Sequence, residues 1–297
     1  MEGIPSIFSL SAVAAILAAV GFFVVQRFVK PIDMETHQGF LDAMLSIVGT
    51  LVSILLGLLV AAALEDYEAL EVSVDKEAAS VAHVFRITAG LPAETRDRIQ
   101  GVCMTYCEQV VNDDWPIMEK GKIPHESFFT LSKLVNEAAI FEPKTEGQNN
   151  LHAELLSAVS DIVDYRRDRM LVLHSNRQQN LMPVLLMCSI IVLVFAYLYT
   201  RRGTIFHGVL ISMVAIALGA NLGLVYVLTN PFKADWKIQP RGFILNKKAL
   251  EQLRSRPELM KLYHLKSDAP APSSSASRHC AHGQKNSLPW RLFFFCL

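Results

Sequence analysis

The chain has 297 residues, of which 52% are hydrophobic, and its mean hydropathy is +0.30. Basic and acidic residues number 28 each, so the formal net charge is zero and gives no sign of a nucleic-acid partner. The apolar residues are concentrated in four blocks. This pattern predicts an all-α integral membrane protein with four transmembrane helices and a helical cytoplasmic insert between the second and the third. The five cysteines are scattered, form no disulfide framework and fit a reducing compartment.

The first apolar block covers residues 3–26 and is followed by Arg27 and Lys30. A secretory signal peptide would begin with a basic segment and have a shorter apolar run. We therefore predict a retained first transmembrane helix that ends before Pro31. A polar connector completes a first segment of residues 1–42.

The second apolar block is the element around which the rest of the chain is organised. No charged side chain occurs between Asp42 and Glu65. A helix needs roughly 20 apolar residues to cross about 30 Å of hydrocarbon, so this run is long enough. Neither Pro nor Gly follows until after Ser80. We predict one long helix over residues 43–80, whose first half is a pore-side transmembrane span and whose second half continues into the cytoplasm.

Two faces of this helix differ in side-chain size. Small residues recur at every fourth position and form a groove that lets a neighbouring helix pack closely: Gly49, Ser53, Gly57 and Ala61. Bulky residues form a stripe elsewhere on the helix: Ile47, Leu51, Ile54 and Leu58. The stripe either contacts lipid and core side chains, or it lines a pore as a dry constriction. Periodicity does not choose between these two interpretations.

Charged residues near the end of this span bear on ion selectivity. Glu65, Asp66 and Glu68 are candidate pore-mouth charges that would form an acidic ring in a symmetric oligomer, and acidic rings favour cations. Three arginines further along would favour anions if they face a lumen: Arg86, Arg96 and Arg98. Both groups could instead form weak ion pairs on a solvated surface. These residues therefore do not identify the ion that would be conducted.

Residues 81–177 form the predicted cytoplasmic insert, in which no alternating strand pattern occurs. Leu91 and Pro92 mark a helix start, and Asp113 to Pro116 are expected to interrupt the helix that follows. Loops are predicted at residues 121–124 and 143–150, and helices at residues 126–140 and 151–170.

Residues 178–232 hold the predicted third and fourth transmembrane helices, one between Arg177 and Arg201 and one over about 206–228. Residues 233–266 are predicted to be a cytoplasmic C-terminal segment. The Pro-, Ser- and Ala-rich residues 267–297 are predicted to be a disordered tail. Lys and Arg are more numerous beside the insert and in the tail than in the two short connectors. This distribution places the insert and C-terminus in the cytoplasm, and the protein in the plasma or cell inner membrane.

No catalytic motif emerges, so we predict no enzyme, no cofactor and no metal. Cys103 and Cys107 are four residues apart, but no second ligand pair accompanies them, which favours packing in the core. His207 lies in the fourth apolar block and is either functional or at the membrane interface. Three arginines before the third span are expected to contact anionic lipid head groups: Arg166, Arg167 and Arg169.

Several spaced signals follow one another along residues 40–250. They run from Gly49-Thr50-Leu51 and Glu65-Asp66-Tyr67 through Glu77-Ala78, Phe85-Arg86, Leu91-Pro92, Asp114-Trp115-Pro116 and Arg166-Arg167-Asp168-Arg169 to Pro231-Phe232, Pro240 and Phe243. Their order resembles that of the bestrophin-like membrane proteins. The most specific part is the Trp-Pro element with its neighbours Tyr106, Met118 and Gly121.

The resemblance implies an all-helical homo-oligomer in the lipid bilayer, pentameric by analogy with bestrophins. Its second span would line a pore for small inorganic ions, with chloride as the expected ion. No cluster in this chain matches the calcium clasp of animal bestrophins, so calcium gating is not implied. The alternative function is a non-conducting scaffold or sensor whose insert docks a partner, with Trp115 as the anchor. A secondary transporter fits less well, because inverted repeats and broken midplane helices are not evident.

Overall fold

The structure is a computed structural model that describes residues 7–28, 38–174, 177–198, 205–234 and 236–255. All regular secondary structure in these ranges is helical, as the sequence predicts. The α-helices are α1 (Ile7–Phe28), α2 (Gln38–Ile87), α3 (Ala93–Gln109), α4 (Trp115–Glu119), α5 (Glu126–Ile140), α6 (Glu146–His174), α7 (Arg177–Leu198), α8 (Ile205–Thr229) and α9 (Arg241–Ser255). A 3₁₀ turn follows α2 at Thr88–Gly90, and a π-helical turn joins α3 to α4 at Val110–Asp114.

Helix α2 is continuous over 50 residues and includes the whole range 43–80. At 1.5 Å per residue it is about 75 Å long, more than twice the thickness of a bilayer's hydrocarbon core. Its first half is apolar and its second half carries charged side chains. The first half therefore suits a lipid environment and the second half suits water.

Helices α7 and α8 pack against the first half of α2, and α1 packs against α8 and α7. Ala18 and Phe22 of α1 are buried against α8, and Val52 and Leu56 of α2 are buried against α7 and α8. The hydroxyl of Tyr197 donates a hydrogen bond to the Ala18 carbonyl at 2.8 Å, which connects α7 to α1. These four helices correspond to the four apolar blocks of the sequence.

Two helical stretches of the described chain are long and apolar enough to cross a membrane, Ala43–Gly90 and Gly208–Thr229. The apolar stretches of α1 and α7 are shorter, at Ser11–Val24 and Met182–Tyr197. Only 11% of the most apolar window of α2 is buried within the chain. This part of α2 is therefore not the core of a soluble domain, and its apolar surface requires cover from lipid or from another chain.

The second half of α2 packs against α3, α6 and α9, and α5 packs against α3 and α6. We term this assembly of helices the polar bundle. Leu70, Val74 and Val81 of α2 project into its core. Side chains from the surrounding helices complete that core, among them Ile99, Leu134, Leu155, Ile162 and Phe243. Burial of these apolar faces fixes the charged half of α2 in place.

Two predicted interruptions within the polar bundle are present in a different form. The chain stays helical between Asp113 and Pro116. A π turn joins α3 to α4, and Pro116 follows it in the first turn of α4, the part of a helix where proline is best tolerated. The predicted loop 143–150 ends early, since α6 begins at Glu146. The Gln148 N–H donates to Thr145 Oγ1 at 3.2 Å, a capping contact that starts α6.

Helix α9 was not predicted within the segment 233–266. It lies close to α2: a Cβ atom on Gly242 would be 2.7 Å from the Ala78 Cβ. The Asn246 side chain donates to the Ala78 carbonyl at 2.7 Å. The predicted disorder of residues 267–297 falls outside the described residues.

Candidate functional site

The apolar stripe of α2, formed by Ile47, Leu51, Ile54 and Leu58, is exposed, with 53–66% of each residue accessible. At about 100° per residue, these four side chains fall within an arc of about 60°. The packed side of α2, which carries Val52 and Leu56, is centred about 150° away around the helix. The stripe therefore faces away from the other helices of its own chain.

The small-residue line of α2, formed by Gly49, Ser53, Gly57 and Ala61, is likewise unused within the chain. A Cβ atom on Gly49 or on Gly57 would meet nothing within 4 Å. Ser53 and Ala61 are exposed. Packing within one chain thus gives no reason for small side chains here, and a second helix could approach this line closely.

The three acidic residues at the end of the span do not share one face. Glu65 continues the apolar stripe, whereas Asp66 lies about 100° to one side and Glu68 about 60° to the other. All three are exposed. Only Glu65 is thus aligned with the apolar stripe.

The arginines that could oppose this acidic charge form local ion pairs on the polar bundle. Arg96 pairs with Asp97 at 2.8 Å, and Arg98 pairs with Glu137 at 3.4 Å. Arg86 is exposed. Exposed pairs of this kind contribute at most about 1 kcal/mol.

Below the span, Arg169 of α6 and Glu77 of α2 form an ion pair without any exposed side-chain surface. The Arg169 Nε and Nη2 atoms donate to the two carboxylate oxygens of Glu77 at 2.8 and 2.9 Å, a two-point contact of high specificity. The Tyr106 hydroxyl donates to Glu77 Oε1 at 2.5 Å. The Trp115 ring is centred 5.3 Å from the Arg169 guanidinium carbon, within range of a cation–π contact.

A second carboxylate, Asp114, extends this buried charge cluster. Its Oδ2 atom accepts hydrogen bonds from Arg169 Nη1 at 3.3 Å and from the Ser127 hydroxyl at 2.6 Å. Arg166 in turn donates to Ser127 Oγ at 2.9 Å. Two basic and two acidic side chains thus occupy one buried site, so their formal charges balance. Asp114 ends the π turn, which places its carboxylate beside Arg169.

The segment after α8 covers the cluster with aromatic side chains. The Trp115 N–H donates to the Ile238 carbonyl at 3.0 Å. The ring of Phe232 packs edge-on against Trp115 at 5.8 Å, and that of Phe243 packs against Tyr106 at 6.3 Å. The cluster therefore connects α2 and α6 with the chain that leaves α8.

Burial and charge shift the pKa values of the cluster in a consistent way. Burial raises the pKa of Asp114, although the positive charge of Arg169 and the Ser127 hydrogen bond oppose it. Burial and then the negative charge of Glu77 raise the pKa of Tyr106 well above its usual range. Burial on its own lowers the pKa of Arg169, but Glu77 and the other cluster members raise it overall. Arg169 thus stays charged and Tyr106 stays neutral.

Two sequence expectations about these residues are wrong. Arg166 and Arg169 do not contact lipid head groups, since they are 7% and 0% exposed. Of the three arginines, only Arg167 is exposed. Trp115 cannot anchor a partner from the surface either, because it is 4% exposed.

The sequence contains a signal for the burial of Arg169 and Glu77. Arg169 follows Leu155 and Ile162 at intervals of seven residues, and Glu77 follows Leu70 at the same interval. A seven-residue interval keeps side chains on one face of a helix, so charges in an apolar series indicate buried charges.

The cysteine prediction is confirmed, because Cys103 and Cys107 are both buried in the core of the polar bundle. Burial raises the pKa of both thiols, that of Cys107 to about 12. The described residues include no group of three or more His, Cys, Asp or Glu that could hold a metal ion. The side chain of His207 falls outside the described residues.

Comparisons with known proteins agree on one family. The sequence profile of the Bestrophin-like domain matches residues 12–243, which is more than half of the chain. The crystal structure of a mutant bacterial bestrophin homologue from Klebsiella pneumoniae matches with a TM-score of 0.52. The match covers 87% of this chain and 96% of that chain at 11% sequence identity, so it shows the fold alone. No curated protein matches the chain.

Proposed function

Because the chain belongs to the bestrophin-like family, we propose that it forms an oligomeric ion channel, with chloride as the expected ion and α2 as the pore-lining helix. Five copies around a central axis are expected by analogy with bestrophins. A channel has no need of a catalytic centre, and we expect no enzymatic activity.

In the proposed topology, α1, the first half of α2, α7 and α8 cross the membrane. The polar bundle and the C-terminal segment lie in the cytoplasm, which follows the distribution of Lys and Arg. The domain limits are those of the sequence analysis, at residues 1–42, 43–80, 81–177, 178–232, 233–266 and 267–297. The membrane is the plasma or cell inner membrane.

The observation that carries this proposal is the exposed apolar stripe on the side of α2 opposite its own chain. If copies pack beside one another through the small-residue line, each apolar stripe turns toward the shared axis. A ring of Ile and Leu side chains can close a pore by dewetting. Glu65 would lie just beyond that ring, at the cytoplasmic mouth.

The test is ion flux through purified protein in liposomes. Chloride and sodium gradients are tested separately, so that the reversal potential assigns the ion. Leu51→Ala and Leu58→Ala shorten side chains of the proposed constriction and should raise the flux several-fold. Met187→Ala is the matched control, because Met187 is 56% exposed on α7, away from the proposed pore. Silence across several anions and cations, or equal effects of all three variants, would contradict the proposal.

One observation favours the alternative of a non-conducting scaffold or sensor. The helix α5 of the polar bundle exposes Phe128 and Phe129, which are 54% and 68% accessible, and Ile140, which is 63% accessible. Exposed aromatic side chains in a water-facing domain are typical of contact surfaces. The scaffold would be supported by a partner that full-length protein retains and Phe129→Ala loses, together with the absence of ion flux.

A further inference from the structure

A cavity of about 360 Å³ lies between α2, α6 and the end of α8. Two of its lining residues mark its position: Ala63, two residues before Glu65 on α2, and Thr229, the last residue of α8. It therefore opens where the proposed spans meet the polar bundle. Apolar side chains form most of its wall, among them Leu70, Leu171, Val172, Leu228 and Pro231.

The hydroxyl groups on the cavity wall already donate their hydrogen bonds elsewhere. Tyr67 donates to the Trp236 carbonyl at 2.8 Å, Ser73 to the Tyr165 carbonyl at 3.5 Å, and Thr229 to the Tyr226 carbonyl at 3.2 Å. Each side-chain oxygen can still accept a hydrogen bond. The polar part of the wall therefore offers acceptors to a ligand and no hydroxyl donor.

The charge of the cavity has one sign. Asp66 of α2 and Asp168 of α6 both line it, and its wall includes no Lys, Arg or His. Within the described ranges neither carboxylate has a basic partner within 4 Å. A ligand that fits this wall must supply positive charge and N–H donors, together with an apolar body.

We propose that this cavity binds an organic ammonium ion, whose charged amine contacts Asp66 and Asp168 and whose apolar body packs against Leu70, Leu171 and Leu228. The volume falls within the range of small-molecule sites, about 300–1,000 Å³. The negative wall excludes anions. Calcium fits less well, because it takes about 6–8 oxygen ligands and the described part of the chain offers no group of three acidic ligands. The proposal does not depend on ion conduction.

The test uses the full chain in nanodiscs of phosphatidylglycerol, a lipid without an amine, with 2-phenylethylamine as the probe. The uncharged 2-phenylethanol has nearly the same shape and serves as the matched ligand. Calorimetry, corrected with empty nanodiscs, should show saturable binding of the amine and binding of the alcohol that is about tenfold weaker or more. A charge-assisted hydrogen bond is worth this factor. Equal binding of the two compounds would overturn the proposal.

Three variants locate the site. The double variant Asp66→Asn/Asp168→Asn should weaken amine binding about tenfold or more. The variant Leu171→Trp fills the cavity and keeps both charges, so it should also abolish saturable binding. Glu68→Gln is the control, since Glu68 lies at the same depth on α2 without lining the cavity, and it should change the affinity less than about twofold. Unchanged binding in either test variant, or an equal loss in the control, would contradict the assignment.

The natural ammonium ion could come from an aminolipid head group or from a water-soluble amine. Nanodiscs that contain phosphatidylethanolamine separate these sources. If the lipid competes with 2-phenylethylamine, the apparent affinity of the probe falls, and the site belongs to the lipid. If the probe binds as before, the site is open to soluble amines. Either result supports ammonium recognition.

Discussion

At the scale of single residues, Arg169 and Glu77 depend on each other because neither side chain has water to replace its partner. Removing one member of a buried pair leaves an uncompensated charge, which costs about 3–5 kcal/mol. An exposed pair such as Arg98 and Glu137 contributes at most about 1 kcal/mol. The buried charge cluster is therefore where single substitutions should affect stability most.

We expect Arg169→Met to lower the free energy of unfolding by about 3–5 kcal/mol, because Glu77 loses both of its guanidinium hydrogen bonds. Denaturant unfolding of the detergent-solubilised protein measures this loss. Arg167→Met is the control: it removes the same charge from an exposed position two residues away and should change stability by less than about 0.5 kcal/mol. Similar losses in both variants would show that the buried pair has no special role.

The protonation of Asp114 gives a pH dependence of defined sign. Burial raises its pKa in the folded state above the ordinary value of 3.8, so the folded protein binds this proton more tightly than the unfolded chain. The resulting stabilisation is complete below pH 3.8 and is lost as the pH rises through the folded pKa. Asp114→Asn lacks this titration. The stability advantage of the natural protein over Asp114→Asn should therefore shrink as the pH rises from about 3.5 toward neutrality.

Melting temperatures of both proteins across this pH range provide the measurement. Asp113→Asn is the matched control, because Asp113 is exposed in the same π turn, and its difference from the natural protein should stay nearly constant. An advantage that grows with pH would contradict the assigned direction.

The thiol of Cys107 should be almost unreactive in the folded protein. Its pKa of about 12 leaves about one thiolate in ten thousand at pH 8, and only the thiolate reacts. The measurement compares two single-cysteine variants, one that retains only Cys107 and one whose only cysteine replaces the exposed Ser132. A maleimide should label Cys107 about 10³-fold more slowly than the cysteine at position 132. Comparable rates at the two positions would show that the interior opens readily.

At the scale of helices, local sequence was sufficient where a helix is defined by its own composition. Helix α2 has an apolar run, a charged half and no proline, and each property can be read within a few turns. Helix α9 could not be predicted in this way. Its packing depends on contacts between Gly242, Asn246 and Ala78, which is more than 160 residues away in the chain.

The buried charge cluster likewise could not be predicted from local sequence alone. The seven-residue intervals that lead to Glu77 and Arg169 indicate that these charges are buried, but they do not identify the partners. Glu77 and Arg169 are 92 positions apart, and Asp114 lies between them, 55 positions before Arg169. Sequence periodicity describes one helix face at a time, whereas pairing depends on how α2, α6 and the π turn meet.

Gly242→Ala should loosen the contact between α9 and α2. The added Cβ atom would be 2.7 Å from the Ala78 Cβ, so the helices must shift, which costs about 1–3 kcal/mol. Thermal unfolding measures this cost, and faster proteolysis within α9 reports the loosened helix. Gly101→Ala is the control, since nothing lies within 4 Å of its Cβ and alanine favours helix formation by about 1 kcal/mol. Stabilisation by both substitutions would show that α9 does not need the close approach.

At the scale of the whole molecule, the exposed apolar surface of α2 exceeds what one chain can cover. The small-residue line and the apolar stripe are both accessible, although they belong to the most apolar stretch of the chain. A bilayer covers such surface, but it gives no reason for Gly49 and Gly57 to be small. Close packing of a second helix does.

Gly57→Leu should therefore reduce the mass of the detergent-solubilised particle and leave the fold of each chain intact. The new side chain meets nothing within its own chain but obstructs a helix that packs on the small-residue line. Light scattering measures the mass, and circular dichroism checks the fold. Ala12→Leu on the exposed surface of α1 is the control and should preserve the assembly. If the natural protein is a monomer, the proposed central pore does not exist.

The unbroken length of α2 also gives the molecule a mechanical property. Leu51 and Glu77 belong to one stiff rod and are about 39 Å apart along its axis. A rotation of the rod by about 5° around the point where Arg169 holds it would swing Leu51 sideways by about 3 Å, roughly the width of a water molecule. With the buried pair as its fulcrum, the helix would work as a lever, and small movements among the helices of the polar bundle would become displacements at the opposite end.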